Sequence, residues 1–311
     1  MKFLIVGPGA MGCLFAACLK KSGTEVVLMD HDAERACFLN SNGIELIEKD
    51  DVFSVRIPVV TEVAEFRPDV VLVCVKANQT KSVSRILKNK NRVGTDSCIL
   101  TLQNGLGNME ALESVFETNI VLGGITSEGA TLKSPGCVFH AGRGQTFIGP
   151  KMRNRLLVKD IVSAFNNAGF NTTAVDNIVG LMWGKLVVNA AINPLTAITG
   201  LKNGMLLDHE GTRILMERVV FEVMKVVNAK GIHLPYSDPV SHVQKICRAT
   251  EGNLSSMLQD VLKHRRTEID YINGAVAREA KALGLDAPVN RALTLFVKVV
   301  EEGYLTKNNV F

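Results

Sequence analysis

The chain has 311 residues, of which 47% are apolar and 21% are charged, a composition typical of a folded protein with about two domains. The formal net charge of +4 is small, and no basic block alternates with aromatic residues, so the sequence does not favour nucleic-acid binding. The seven cysteines include no Cys-x-x-Cys pair and lie mostly in apolar runs, which favours free thiols in a reducing compartment, the cytoplasm. No apolar run indicates a membrane span, and no His or Cys cluster has the spacing of a metal site.

The first thirty residues have the pattern of a dinucleotide-binding unit. A buried parallel strand is predicted over residues 3–6, a helix over residues 11–21 and a second strand over residues 25–29. The turn before the helix reads Gly7-Pro8-Gly9-Ala10-Met11-Gly12. Its first glycine permits a tight turn, its second lets the backbone approach a pyrophosphate, and its third lets the helix pack on the strand. Free amides at the helix N-terminus then face the phosphates.

The acidic residue after the second strand is Asp30. A carboxylate at this position accepts hydrogen bonds from the adenosine ribose and repels a 2′-phosphate, so it favours NAD over NADP. His31 and Arg35 lie close by in the sequence and leave the cofactor preference open.

Further apolar strands are predicted over residues 69–75, 97–102 and 120–123. Ligands of open α/β sheets lie outside the carboxyl ends of the strands. Lys76, Gln79 and Asn104 follow such ends and are therefore candidates to line the cofactor crevice, although ordinary polar loop residues would look the same. An edge hairpin is predicted from residues 138–141 and 146–148.

Long helical patterns dominate from about residue 178 onward. We therefore predict an α/β fold with a Rossmann-type doubly wound parallel sheet over residues 1–172, followed by an all-α substrate domain over residues 173–311.

One apolar helical run carries three polar residues at regular spacing. Lys185, Asn189 and Asn193 recur at i, i+4 and i+8, which places them along one face of a helix. A buried ammonium is costly without a partner, so the stripe indicates either a structural lysine beside two core amides or a site. Reduction of a carbonyl by hydride needs a proton donor for the nascent alkoxide, and Lys185 is the best candidate.

A second polar cluster begins near residue 253. Asn253 or Ser255 is a candidate N-cap for a short helix, and Glu268 follows in a separate run. A capped amphipathic helix with surface charges explains this cluster equally well. Spacing alone does not place Glu268 beside Lys185.

Taken together, these residues resemble the ketopantoate reductase (2-dehydropantoate 2-reductase) family nearly end to end. The resemblance rests on motifs that occur in order: the glycine-rich turn, Val75-Lys76-Ala77-Asn78-Gln79, Gln103-Asn104-Gly105, the segments 183–186 and 193–197, and the segments 253–260 and 267–274. It implies NADP(H) as cofactor and reduction of ketopantoate to (R)-pantoate, a precursor of coenzyme A. Family members usually carry a basic residue where this chain has Asp30, which is why NAD(H) becomes a candidate for the preferred cofactor.

The resemblance also implies roles for individual residues. Lys185 is the implied general acid, and Glu268 contacts the cofactor and orients the lysine. The implied cofactor contacts further include Lys76, Gln79, Asn104 and Ala130. The implied substrate ligands are Asn104, Lys185, Asn189, Asn193, Asn203, Asn253 and Ser256.

Two other functions remain as alternatives. A related 2-oxo or 3-hydroxy acid dehydrogenase of the same two-domain build would keep the lysine face and change the substrate. A nucleotide-sensing protein without catalysis would need neither Lys185 nor Glu268. The expected partner is a small 2-oxo acid that bears a hydroxyl group, and a homodimer is one option for the assembly.

Overall fold

The computed structural model describes residues 1–62, 66–89, 93–151 and 156–305, with only the backbone described for residues 89, 156, 157 and 305. The chain forms two compact units. The first consists of residues 1–103 and 108–178, and the second of residues 104–107 and the chain from 179 onward. The first unit extends past residue 172, where the sequence places the boundary, because the last strand of its sheet covers Asn171–Ala174.

The first unit contains twelve strands and five helices within the described ranges. The strands are β1 (Lys2–Val6), β2 (Glu25–Met29), β3 (Ile44–Ile47), β4 (Val52–Val55), β5 (Val59–Val60), β6 (Val70–Val73), β7 (Cys98–Thr101), β8 (Val121–Thr126), β9 (Gly129–Ser134), β10 (Cys137–Gly142), β11 (Gln145–Gly149) and β12 (Asn171–Ala174). The helices are α1 (Ala10–Lys21), α2 (Ala33–Asn42), α3 (Thr80–Asn89), α4 (Asn108–Glu113) and α5 (Leu156–Asn167).

The large sheet has the predicted doubly wound order. Its eight strands run β12-β11-β8-β7-β6-β1-β2-β5, and all neighbours are parallel except β8 and β11. Phe3 and Ile5 of β1 pack into one core cluster and Leu4 and Val6 into another. Both faces of the strand are therefore buried, which explains its uninterrupted apolar sequence.

A second sheet of four strands, in the order β4-β3-β10-β9, was not predicted. The predicted hairpin over residues 138–141 and 146–148 is wrong, since β10 pairs with β9 and β3 in this small sheet while β11 pairs with β8 and β12 in the large one. The hairpin turn lies instead at Pro135-Gly136, where Gly136 has φ +75°.

The second unit is helical, as predicted. Its helices are α6 (Val179–Thr199), α7 (Glu210–Ala229), α8 (Pro239–Ala249), α9 (Ser256–Leu262), α10 (Asn273–Ala282) and α11 (Pro288–Leu305). By length and composition α6 could cross a membrane, but 67% of its most apolar stretch is buried inside the protein. It is the core helix of this unit, and Trp183, Leu186 and Val187 pack into the unit's apolar cluster.

Candidate active site

The glycine-rich turn has the geometry that a pyrophosphate requires. Gly7 has φ +104°, which favours glycine, and a Cβ on Gly12 would lie 2.0 Å from the Gly7 carbonyl oxygen. A Cβ on Gly9 would meet nothing within 4 Å, so the backbone there is open to a ligand. Gly9 is the N-cap of α1 and has no side chain to occupy the free amides, and the first turn of α1 carries no acidic residue. The amides of this turn therefore fit the phosphates of a nicotinamide dinucleotide.

Asp30 follows β2 as predicted, but its side chain is enclosed. It is 0% exposed, and the Arg35 guanidinium donates to both carboxylate oxygens, from Nε at 2.5 Å and from a terminal nitrogen at 2.6 Å. The backbone N–H of Asp32 also donates to it, at 3.1 Å. The sequence predicts that the Asp30 carboxylate is free to bind a ligand. In this conformation it is instead covered by Arg35, whose side chain is 33% exposed to solvent.

The segment after β6 carries Lys76 and Gln79, as predicted from the position of the strand end. Sequence reasoning missed the residue that holds this segment in place. Gln103, at the carboxyl end of β7, donates through Nε2 to the Val75 carbonyl at 2.6 Å and to Thr80 Oγ1 at 2.8 Å. Its place in the run Gln103-Asn104-Gly105 was the available signal.

Ala130 lies in the small sheet rather than at the carboxyl ends of the parallel strands. It is paired with His140 in the β9–β10 register and packs against the apolar cluster that also includes α1.

The stripe on α6 is helical, as predicted. Lys185 and Asn189 are half-buried, and Asn193 is 5% exposed. Burial lowers the pKa of Lys185 from its ordinary 10.5 to about 8, and the nearby negative charge of Glu268 opposes this fall. The charge of Glu268 therefore acts on the lysine, an interaction that residue spacing does not reveal.

A polar cluster forms where the second half of α6 meets the start of α9. Thr196 Oγ1 lies 2.6 Å from Ser255 Oγ, and Ser255 caps α9 by accepting from the Leu258 N–H at 3.0 Å. The backbone N–H of Asn203 donates to the Asn253 carbonyl at 3.1 Å. Asn253 and Ser256 are both exposed, next to this cap.

Two side-chain atoms of these asparagines lack a partner among the described residues. They are Asn193 Nδ2 and Asn203 Oδ1, and both belong to buried side chains. Buried polar atoms are normally hydrogen-bonded, so a donor and an acceptor left open fit a polar ligand. One candidate is a substrate with carboxylate and hydroxyl groups.

Asn104 belongs to the second unit although it directly follows a residue of the first. The Leu106 N–H donates to the Tyr271 carbonyl at 2.8 Å. Gly105 has φ +82°, and a Cβ there would lie 2.3 Å from the same carbonyl oxygen. This close approach holds the Asn104 segment against the short 3-10 turn that follows Glu268.

Comparison with known protein families gives a match for each of the two units. The family model described as "Ketopantoate reductase PanE/ApbA" matches residues 3–152, and its C-terminal counterpart matches residues 177–301. The chain belongs to the ketopantoate reductase family. It is 36% identical over 303 residues to a 2-dehydropantoate 2-reductase of Pyrococcus horikoshii, across 97% of this chain and 98% of that protein. The corresponding enzyme of Vibrio cholerae is 33% identical across 98% of this chain and 99% of its own length.

Solved structures give the same fold. A ketopantoate reductase of the PanE/ApbA family from Ralstonia eutropha is 31% identical, with a TM-score of 0.89 over 98% of this chain and 100% of that one. A ternary structure of D-mandelate dehydrogenase with NADH and anilino(oxo)acetate is 29% identical, with a TM-score of 0.91 over 98% and 99% of the two chains. The ketopantoate reductase fold therefore also occurs in a dehydrogenase named for another 2-hydroxy acid.

Proposed function

We propose that this protein catalyses the NAD(P)H-dependent reduction of 2-dehydropantoate to (R)-pantoate, in the pathway to pantothenate and coenzyme A. The observation that carries the proposal is Lys185, whose pKa burial brings to about 8 beside the carboxylate of Glu268. A group with a pKa near the working pH can both hold and release a proton. The match of both units to the ketopantoate reductase family supports the choice of reaction.

The residues divide the work between proton transfer and binding. Bound NAD(P)H supplies the hydride to C2 of the substrate. The Lys185 ammonium donates its proton to the C2 oxygen as negative charge develops there, and Glu268 raises the pKa of the lysine and so favours the ammonium. Asn193 Nδ2 and Asn203 Oδ1, which lack hydrogen-bond partners among the described residues, pair with the substrate's polar groups. Asn104, Asn189, Asn253 and Ser256 are the other proposed substrate ligands.

For the cofactor we propose that NADH is preferred over NADPH. The solvent-facing Arg35 already has its charge neutralised by Asp30. Asp32 and Glu34 add two negative charges at the start of α2, where a 2′-phosphate would be repelled. The NADH present in the D-mandelate dehydrogenase structures is consistent with this preference. Lys76, Gln79 and Ala130 remain proposed cofactor contacts.

A steady-state assay tests the reaction. Ketopantoate and phenylglyoxylate, the oxo acid related to mandelate, are each offered with NADH and with NADPH. We expect turnover of ketopantoate at a kcat/KM at least about 100-fold above that of phenylglyoxylate. Lys185→Ala is the matched control, which should bind NADH, seen by fluorescence, and lose most of kcat. Absence of ketopantoate turnover with both cofactors would contradict the proposal, and a preference for phenylglyoxylate would favour the related dehydrogenase. Binding of NADH without turnover of either acid would favour the nucleotide sensor.

We also propose that the protein forms a homodimer through α11. The face of α11 opposite the core is apolar at helical spacing, at Ala292, Leu295, Phe296, Val299 and Gly303. Leu295, Phe296 and Val299 are 60%, 61% and 62% exposed, which is unusual for such a cluster on a monomer.

The seven cysteines are free thiols, which is consistent with the cytoplasm as the proposed location.

Charge complementarity supports a second copy of the chain as the partner of this face. Arg291 and Glu302 are exposed at opposite ends of the stripe and on the same flank, about 16 Å apart along the helix axis. Arg291 lies 3.6 Å from Asp286 of its own chain, but this ion pair is exposed and therefore weak enough for a second carboxylate to share or replace it. When two α11 helices pack antiparallel about a twofold axis near Phe296, Arg291 of each copy meets Glu302 of the other. This self-complementary arrangement is the geometry of an isologous dimer.

A further inference from the structure

Pro194 interrupts the hydrogen bonding inside α6. Proline has no N–H, so the carbonyl of Ala190, four residues earlier, loses its partner within the helix. Ala190 is fully buried and has no access to water. Its carbonyl oxygen instead accepts a hydrogen bond from Asn273 Nδ2, at 3.0 Å. The Asn273 amide thus replaces the missing backbone donor, because a buried carbonyl without a partner is costly.

Asn273 is held in this orientation by a buried polar network. Its Nδ2 also donates to Asn290 Oδ1 at 3.0 Å, and Asn290 Nδ2 donates to Glu222 Oε2 at 2.7 Å. Glu222 accepts the N–H groups of Val289 and Asn290, both at 2.9 Å, at the N-terminus of α11. Asn273 and Asn290 are fully buried, so this chain of bonds joins α6, α7, α10 and α11 without competition from solvent.

The position of Asn273 in the chain gives this bond its significance. Asn273 is the first residue of α10 and is separated from Glu268 by one 3-10 turn, in which the N–H groups of Tyr271 and Ile272 donate to the Glu268 carbonyl at 2.9 and 3.1 Å. Ala190 lies about 7.5 Å beyond Lys185 along α6. The bond from Asn273 to Ala190 therefore joins the segment that carries Glu268 to the helix that carries Lys185.

We propose that Asn273 is a positioning residue that sets the separation of the Lys185 ammonium and the Glu268 carboxylate through its hydrogen bond to the Ala190 carbonyl. The consequence for catalysis rests on the proposed function of Lys185. Coulomb energy depends on separation, so loosening this link weakens the field of Glu268 at the lysine. Glu268 is the charged group that acts on the pKa of Lys185, and it raises the value that burial lowers. Loosening therefore lowers the pKa of Lys185 further.

The test is Asn273→Ser, whose hydroxyl is too short to reach the Ala190 carbonyl. The pKa of Lys185 is measured in the ligand-free protein by competitive acetylation and peptide mass spectrometry, and the kcat–pH profile is measured with ketopantoate. We expect the pKa to fall by about 0.5 to 1. The basic limb of kcat should move to lower pH by the same amount, with kcat at pH 8 reduced about two- to fivefold and KM changed less than twofold.

Two further variants separate positioning from stability. Adding Pro194→Ala to Asn273→Ser gives residue 194 an N–H that satisfies the Ala190 carbonyl within α6, so Tm should recover while the pKa of Lys185 stays low. This double variant also provides the comparison if Asn273→Ser alone does not fold. Val276→Ala is the matched control, since it removes buried methyl groups from the same helix and should lower Tm without changing the pKa of Lys185.

The outcomes distinguish the inference from the function on which it rests. An unchanged pKa in Asn273→Ser, its recovery together with Tm in the double variant, or an equal fall in Val276→Ala would each overturn the positioning role. If the wild type turns over no ketopantoate but the pKa of Lys185 still falls in Asn273→Ser, the positioning role is supported and the proposed function is refuted.

Discussion

Replacing Lys185 by methionine is expected to make the second unit more stable at neutral pH. The difference between the ordinary pKa of 10.5 and about 8 corresponds to about 3.5 kcal/mol, at about 1.4 kcal/mol for each pKa unit. This is the cost of keeping the ammonium in the folded protein. Lys185 keeps some solvent exposure, so we expect about 1 to 3 kcal/mol of stabilisation in Lys185→Met.

The pH dependence identifies the cause of this stabilisation. Below about pH 8 the lysine is charged in both states, and the wild type carries the full cost. Between about 8 and 10.5 the unfolded chain binds the proton more tightly than the folded one, so wild-type stability rises with pH. Above 10.5 the lysine is neutral in both states. The stability advantage of Lys185→Met should therefore shrink as pH rises through this window.

The assay uses the one tryptophan of the chain as its reporter. Trp183 is buried in α6, two residues from Lys185, so its fluorescence follows unfolding of the second unit. Urea titrations at pH 7 and pH 10 give the free energy of unfolding for the wild type and for Lys185→Met. Lys263→Met, at an exposed position of the same unit, is the control and should show no such window. A less stable Lys185→Met protein at pH 7, or an advantage that is equal at both pH values, would refute the reasoning.

Three further predictions concern the cofactor, the assembly and the substrate. Asp30→Ala frees the Arg35 guanidinium and should raise the ratio of kcat/KM for NADPH to that for NADH by about tenfold or more; an unchanged ratio would exclude Asp30 from cofactor choice. Arg291→Glu should weaken the dimer in analytical ultracentrifugation, and adding Glu302→Arg should restore it. The rescue must act between two copies, because the two positions are too far apart to pair within one helix. A double variant that stays monomeric would rule out antiparallel α11 packing. Asn193→Leu removes a buried amide with an unmet donor, so stability should change by less than about 1 kcal/mol while KM for ketopantoate rises about tenfold or more; a large loss of stability with unchanged KM would make Asn193 a structural residue.

Local patterns predicted the elements that depend on neighbours in sequence. The strand, turn and helix around the glycine-rich turn follow from a buried apolar run and three glycines, each with a local steric reason. The helical stripe of Lys185, Asn189 and Asn193 follows from the helical period alone.

Features set by distant parts of the chain could not be predicted in this way. The small sheet joins β3 to β10, two strands separated by most of the first unit, and its strand β4 is only half-buried with a weak pattern. Glu268 acts on the pKa of Lys185 from a distant segment of the chain, which residue spacing could not show. The sequence likewise positions the charge of Asp30 but does not indicate that Arg35 covers it.

The short segment of residues 104–107 has a consequence for protein engineering. It is encoded between two parts of the first unit, yet it belongs to the second, where Gly105 and Leu106 contact the Tyr271 carbonyl. A gene fragment that starts at Val179 would leave this carbonyl without its backbone donor. Chimeras that exchange the second unit between relatives should therefore transfer these four residues together with it, as two separate inserts rather than one.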